Sequence, residues 1–480
     1  MLFVTTFVAE IMPQLNHYQD TICAPATAQG TGAIAIIRLS GNKAHTIIEK
    51  IFRKKNLKRF TAKEVKTHTL HFGEIYSDNT LLDEVLISIF KNPHSYTGED
   101  MIEISCHGSL YIQQQIIQLL VHNGARMAKA GEFTLRAFLN KKLDLSQAEA
   151  VADLIASDSE VSHKMAMQQM RGGFSNEINL LREQLIQFAA LIELELDFSE
   201  EDVEFANREE LKNLIEQLKN KIQSLAESFS LGNVFKLGVP VAIIGKPNVG
   251  KSTLLNALLN ENRAIVSEIP GTTRDTIEEE ITLGGIHFRF IDTAGIRHSN
   301  DRIEKIGIEK TYEKIKQASV VLYLFDTIKD TASEVEHDVS EIKNKLSDAN
   351  TPLLTIGNKI DEGTGEQTTL LYSDTLSPLF ISAKTGKNLS LLKEKLLSLI
   401  NTNVLQSEQS IVSNTRHYEA LQKSLQSIHN VQQGLNNNIS SELLALDIRD
   451  ALRHLGEITG AIDIDKDILG TIFSRFCIGK

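Results

Sequence analysis

The 480-residue chain carries 50 Lys and Arg against 62 Asp and Glu, a formal net charge of -12, which argues against a broad basic nucleic-acid surface but not a local one. Its 42% hydrophobic and 23% charged content is that of a globular protein with room for about three domains. Three cysteines do not make a disulfide framework and fit a reduced, cytoplasmic setting.

The opening "MLFVTTFVAEIM" lacks a basic n-region, and Glu10 interrupts it, so it does not read as a signal peptide. Met12 offers a second start, and residues 1–19 read as an extension or a start-site error. No run reaches about 18 apolar residues, so no stable membrane insertion is expected. Next come three strand-like runs, "GAIAIIRLSG" (32–41), "DEVLISIF" (83–90) and "MIEISCHG" (101–108), and then a helix over roughly 109–122. Residues 145–230 contain no proline. There Ile178, Leu181, Leu185, Phe188 and Ile192 recur at helical spacing, as do Leu211, Leu214, Leu218, Ile222 and Leu225. The helices are expected to break at "RGG" (171–173) and near "DFSEEDVEF" (197–205), an acidic joint rather than a metal site. From 238 strand and helix signals alternate to about 400, and helix-rich sequence returns after that. The expected architecture is multidomain. An α+β N-terminal domain covers 20–140, an all-α helical domain has segments at 141–236 and 401–480, and a P-loop α/β domain over 237–400 is inserted between them. The two helical segments are expected to pack on each other.

The strongest motif is "GKPNVGKST" (245–253), placed between an apolar strand and a helix-like run. Such a loop aims backbone N–H groups at one point and adds the positive end of a helix. Asn248, Val249, Gly250, Lys251, Ser252 and Thr253 are therefore expected around the phosphates, with Lys251 on β/γ oxygens and Ser252 on Mg²⁺. "VSEIPGTTRDT" supplies a switch-like loop of Ser267, Glu268, Ile269, Pro270, Gly271, Thr272 and Thr273, with Thr273 the second Mg²⁺ ligand. "FIDTAGI" supplies Asp292, Thr293, Ala294 and Gly295, for a metal-bound water and the γ-phosphate. "TIGNKID" supplies Asn358, Lys359 and Asp361. The Asp361 carboxylate can accept from guanine N1–H and its 2-amino group, a pair adenine lacks. "ISAKTG" adds Ser382, Ala383 and Lys384 over the base. These motifs resemble a GTPase domain of the translation-factor-related class. Ile296 stands where Ras-like proteins place a water-positioning glutamine, so another group must do that work.

Beyond the nucleotide motifs, "IIRLSG", "SYTGEDMIEISCHG", "AGEFTLRAFLNKKLDLSQAEAVADLI", "IPGTTRDT", "DTAGIR", "IEKIGIEK" and the terminal "FCIGK" resemble the MnmE/TrmE family of tRNA-modification GTPases, from about residue 20 to 480. The resemblance implies an N-terminal folate-binding and dimerisation domain. It also implies a homodimer, an FAD-containing MnmG/GidA-type partner in a heterotetramer, and tRNA as substrate. The implied product is an aminomethyl or carboxymethylaminomethyl group on C5 of wobble uridine. The implied cofactors are GTP as substrate, Mg²⁺, K⁺ and 5-formyltetrahydrofolate or methylenetetrahydrofolate. By the same resemblance, K⁺ would be held by Asn248, Ser267, Ile269 and Thr272, and Glu304 would orient the attacking water. Folate would draw on Arg38, Glu103, Lys142 and Lys480, with Cys477 catalytic. The chain departs from the family in "ATAQGTGA" (26–33), where relatives often read "TPPG-x-GG", so a loop near that pocket loses proline stiffness.

Cys23 and Cys106 are expected to be packing residues, since Cys106–His107 has no third partner for nucleophilic work and the spacing matches no zinc pattern. The last four residues fill a C-a-a-X spacing, but Lys480 is an unfavourable X and Gly479 is not aliphatic. They read better as a tail delivered to the folate pocket. An alternative function is a regulatory RNA-binding GTPase of ribosome assembly. That protein would lack the folate-type module and the terminal Cys-x-x-Lys.

Overall fold

The structure, a computed structural model, describes residues 20–55, 60–78, 80–197, 208–260, 279–291, 318–346, 351–362, 376–400, 410–437, 439–461 and 479. These form two compact units. One holds the described residues of 1–155, 167–219 and 423–480, and the other those of 156–166 and 220–422.

The first unit opens with a seven-stranded sheet. Its strands are β1 (Ile22–Pro25), β2 (Ile34–Ser40), β3 (Phe52–Lys54), β4 (Thr69–Ser77), β5 (Thr80–Phe90), β6 (Met101–His107) and β7 (Arg126–Met127), in the order β3-β4-β5-β6-β2-β1-β7. Alternation sorts the side chains. Ala35, Ile37 and Leu39 of β2 and Ile102, Ile104 and Cys106 of β6 join one core with helices α1 (Ala44–Ile51) and α2 (Leu110–His122). The opposite face carries Ile36, Arg38, Glu103 and Ser105, and β2 and β6 run antiparallel with Arg38 directly across from Glu103. That face also exposes large apolar groups. Leu70, Phe72, Leu86 and Ile34 are 60%, 46%, 38% and 68% exposed, and Phe72 sits across from Leu86.

Below the sheet, α3 (Glu132–Leu139) carries a nearly buried ion network. Arg136 and Glu132 have side chains 1% and 2% exposed and pair with each other. Arg126 joins Glu132 and Asp20, and Arg136 also reaches Asp20 and Glu99. Burial alone would push the Glu132 carboxyl up, but hydrogen bonds from Arg126 and the Lys129 N–H outweigh it and hold it below its ordinary value.

The helices that follow are α4 (Leu145–Ala156), α5 (Glu160–Met170), α6 (Gly173–Asp197), α7 (Arg208–Glu227) and α8 (Phe229–Leu237). The break after Met170 falls at Arg171–Gly172, where Gly172 takes φ +85°. In α6 the stripe Ile178, Leu181, Leu185, Phe188 and Ile192 is buried, and this helix packs against the later helix Ser441–Thr459. In α7 the buried stripe passes through Ile215, Leu218, Ile222 and Leu225, whereas Leu214 is half-exposed. The expected register was one residue off at that turn, because adjacent leucine and isoleucine leave the 3.6-residue period ambiguous. The acidic joint at 198–205 lies outside the described residues.

The second unit holds a six-stranded sheet. Its strands are β8 (Val239–Ile244), β9 (Glu279–Leu283), β10 (Ile286–Phe290), β11 (Val320–Asp326), β12 (Leu353–Asn358) and β13 (Leu379–Phe380), in the order β13-β12-β11-β8-β10-β9. All neighbours are parallel except the β9–β10 hairpin. Both faces are covered, which explains the unbroken apolar runs. Val320, Leu322 and Leu324 of β11 enter one core, and Val321, Tyr323 and Phe325 enter the other. Helices α9 (Lys251–Asn260), α10 (Ala332–Lys345) and α11 (Leu389–Leu399) flank the sheet. Later in the chain come α12 (Thr415–Asn436) and α13 (Ser441–Thr459), the latter part of the first unit. Among the described residues, no helix is long and apolar enough to cross a membrane.

Candidate functional site

The phosphate loop leaves β8 at Gly245 and enters α9 at Lys251. Three of its residues take positive φ: Gly245 at +151°, Asn248 at +61° and Gly250 at +102°. Two of these tolerate no side chain. A Cβ on Gly245 would lie 2.1 Å from the Leu324 carbonyl, and one on Gly250 would lie 2.3 Å from Asn358 Nδ2. Val249 points into the sheet core, 2% exposed, so only its backbone faces the loop's concavity. Lys251 Nζ donates to the carbonyls of Gly245 (2.6 Å) and Lys246 (2.9 Å). Ser252 is half-buried and Thr253 is exposed at the first turn of α9.

The base-side residues converge on the same loop. Asn358 ends β12 and is 3% exposed. Its Nδ2 donates to the Val249 carbonyl at 2.8 Å, and its Oδ1 accepts the Ala383 N–H at 2.9 Å. One amide thereby fixes the phosphate loop and the Ser382–Lys384 segment to the same strand end. Lys359 takes φ +74° and donates to Asp326 Oδ2 at 2.7 Å. The exposed Asp361 carboxyl is held below its ordinary value, first by a hydrogen bond from the Ser382 side chain. It therefore presents an ionised acceptor. Ser382 is fully buried and its Oγ also accepts the Thr385 N–H. A concave run of backbone, a helix N-terminus, a lysine and a low-pKa carboxylate suit a guanine nucleotide. Ser267, Glu268, Ile269, Pro270, Gly271, Thr272, Thr273, Asp292, Thr293, Ala294, Gly295 and Glu304 lie outside the described residues.

The N-terminal candidates also meet. Arg38 Nε and Nη2 both donate to Glu103 Oε1, at 3.0 and 2.8 Å, and its Nη1 donates to the Gly479 carbonyl at 3.1 Å. The guanidinium lies over the Tyr96 and Phe133 rings, 5.3 and 5.5 Å from their centroids. Gly479 is buried at φ +103°, and a Cβ there would fall 1.9 Å from the Pro25 carbonyl. Gly479 thus touches the N-terminal sheet of its own chain. Lys142 is exposed, with its stem beside Gly98. Cys477 and Lys480 lie outside the described residues. Cys23 and Cys106 are buried and their thiols are pushed up to about 11, by burial first. Cys106 faces the core, while the His107 ring turns away to Asp83 at 2.7 Å. These two side chains make no nucleophilic pair.

Sequence reasoning missed the turn after β11. Asp326 and Asp330, in "DTIKD", face Lys359 and Lys246. Their four-residue spacing at a strand end was the available signal. It also missed Tyr96 and Phe133 beneath Arg38.

A mostly parallel sheet with this loop, Lys251 at a helix start and the Asn358–Asp361 cluster defines a P-loop GTPase. Residues 21–142 match the GTP-binding protein TrmE N-terminus, and residues 145–477 match the MnmE helical domain. The chain is 58% identical to the tRNA modification GTPase MnmE of Flavobacterium johnsoniae, over 96% of this chain and 99% of that one. It is 56% identical to the protein so named from Christiangramia forsetii, again over 96% and 99%, and 51% identical to that of Bacteroides fragilis, over 96% and 100%. The chain belongs to the MnmE/TrmE family.

Proposed function

We propose that this chain hydrolyses GTP and, with an FAD-containing partner, takes part in folate-dependent addition of an aminomethyl or carboxymethylaminomethyl group to C5 of wobble uridine in tRNA. The observation that carries the reading is likeness to curated tRNA modification GTPases along 96% of the chain. Within the nucleotide site, Lys251 now bonds two loop carbonyls. Nucleotide binding must exchange those bonds for phosphate oxygens, and the amides at the start of α9 meet the charge that develops in hydrolysis. Mg²⁺ on Ser252 and K⁺ beside Asn248 would supply further positive charge there. Thr273 would complete the Mg²⁺ set, and Ser267, Ile269 and Thr272 the K⁺ set. Glu304 would orient the water.

Arg38, with Glu103, the two aromatic rings and the Gly479 carbonyl, supports a pocket for a flat, carboxylate-bearing ligand such as a folate. Lys142, Cys477 and Lys480 would complete it. The apolar outer face at Phe72 and Leu86 supports self-association. Mass spectrometry of wobble nucleosides from cells lacking this protein tests the whole reading. C5-modified uridines should disappear, and their persistence would refute it. GTP turnover should be faster in K⁺ than in Na⁺, and equal negligible turnover in both would point to a non-catalytic scaffold.

A further inference from the structure

The turn joining β11 to α10 holds two carboxylates in five residues. Asp326 and Asp330 have side chains only 4% and 7% exposed. Two ammonium groups face them, one from the phosphate loop and one from the loop after β12. Lys246, second in the phosphate loop, donates to Asp330 Oδ1 at 2.9 Å and lies 3.7 Å from Glu334. Lys359, in the base-recognition loop, donates to Asp326 Oδ2 at 2.7 Å. The turn is otherwise tightly bonded. Asp330 Oδ2 accepts the Asp326 N–H at 2.7 Å, and Asp326 Oδ1 accepts the Ile328 N–H at 3.0 Å. The Thr327 N–H and hydroxyl both donate to the Asn358 carbonyl, at 3.1 and 2.9 Å.

Resting on the guanine-nucleotide reading, we infer that Lys246 is a positioning residue for the base site, acting through Asp330 and Asp326 on Lys359. Two buried carboxylates within one five-residue turn need both cations. Remove the Lys246 ammonium, and the turn keeps two negative charges with one positive charge fewer. The balance then draws Lys359 toward Asp330 and away from its place after Asn358. Lys246 also cannot serve as a phosphate ligand while it holds Asp330. Its effect should therefore not depend on how many phosphates the nucleotide carries.

The test is equilibrium binding of GDP and GTP to the full chain. Lys246→Met should raise both dissociation constants by about the same factor, roughly tenfold. Lys246→Arg should stay within about twofold of the parent, because it keeps the charge. Asp330→Asn placed on Lys246→Met should recover most of the loss, since it removes the carboxylate that pulls on Lys359. Lys246 is 40% exposed, so these variants should fold, and Lys246→Gln is a second variant with the same expectation. Unchanged affinity in Lys246→Met overturns the inference. So does a loss larger for GTP than GDP that Asp330→Asn fails to rescue, which would make Lys246 a phosphate contact. A parent protein that binds neither nucleotide would overturn the guanine reading itself along with this one.

Discussion

Asp361 is exposed and yet held ionised by its neighbour Ser382. Asp361→Asn should cost at least about tenfold in GDP affinity and shift preference toward a xanthine nucleotide, read by competition binding. The phosphate loop and this carboxylate were legible because their chemistry is local: glycine, lysine and aspartate at fixed short spacing. Lys246 and Asp330 were not, because they stand 84 residues apart and only the sheet order brings them together. Arg38 and Gly479, separated by 441 residues, meet in the same non-local way, and only the family resemblance put the tail beside Arg38. At Gly479 the backbone is left-handed and the Pro25 carbonyl fills the space a Cβ needs. Gly479→Ala should therefore displace the tail from Arg38 without lowering GTP turnover. Equal protection of residues near 479 from proteolysis in parent and variant would refute this.

Helix α10 begins with a complete capping box. The Thr331 hydroxyl accepts the Glu334 N–H, and the Glu334 carboxylate accepts the Thr331 N–H. Thr331→Ala should lower the opening free energy of residues 332–345 by about 1 kcal/mol, measured by hydrogen exchange. Helix α3 makes a pH prediction. Glu132 and its partner Asp20 are both held below their ordinary values of 4.5 and 3.8. A depressed carboxyl contributes stability that is full above its unfolded value and lost as pH falls through its folded one. Unfolding midpoints should fall as the pH drops below the ordinary values of these two carboxyls, and Glu132→Gln should flatten that slope. Strands and helices were legible wherever one face is buried, as in β2 and α6. The α7 stripe slipped where Leu214 and Ile215 offered two equal registers.

For the whole molecule, the α+β, helical and α/β parts were legible from changes in hydrophobic period. The outer face of the first sheet was not, because Leu70, Phe72 and Leu86 look like ordinary strand residues until the register puts them on one side. Phe72→Asp with Leu86→Asp should convert a dimer to monomers in sedimentation while leaving GDP affinity within about twofold. An undissociated double variant would place self-association elsewhere.

The chain leaves its first unit and comes back to it. Helix α6 finds its partner, α13, only after the whole 220–422 stretch has been made. The inserted unit has its strands nearly contiguous in sequence and can form as soon as it is synthesised. The α6–α13 pairing must wait, and its closure entropy is that of a loop spanning hundreds of residues unless the inserted unit has already collapsed and shortened it. The order of events during translation is thus written into the topology. The nucleotide-holding part matures first, and the buried stripe of α6 stays without its mate until α13 arrives. A ribosome stalled between the two would display a folded nucleotide site and, separately, an unsatisfied helix, the kind of surface that chaperones engage.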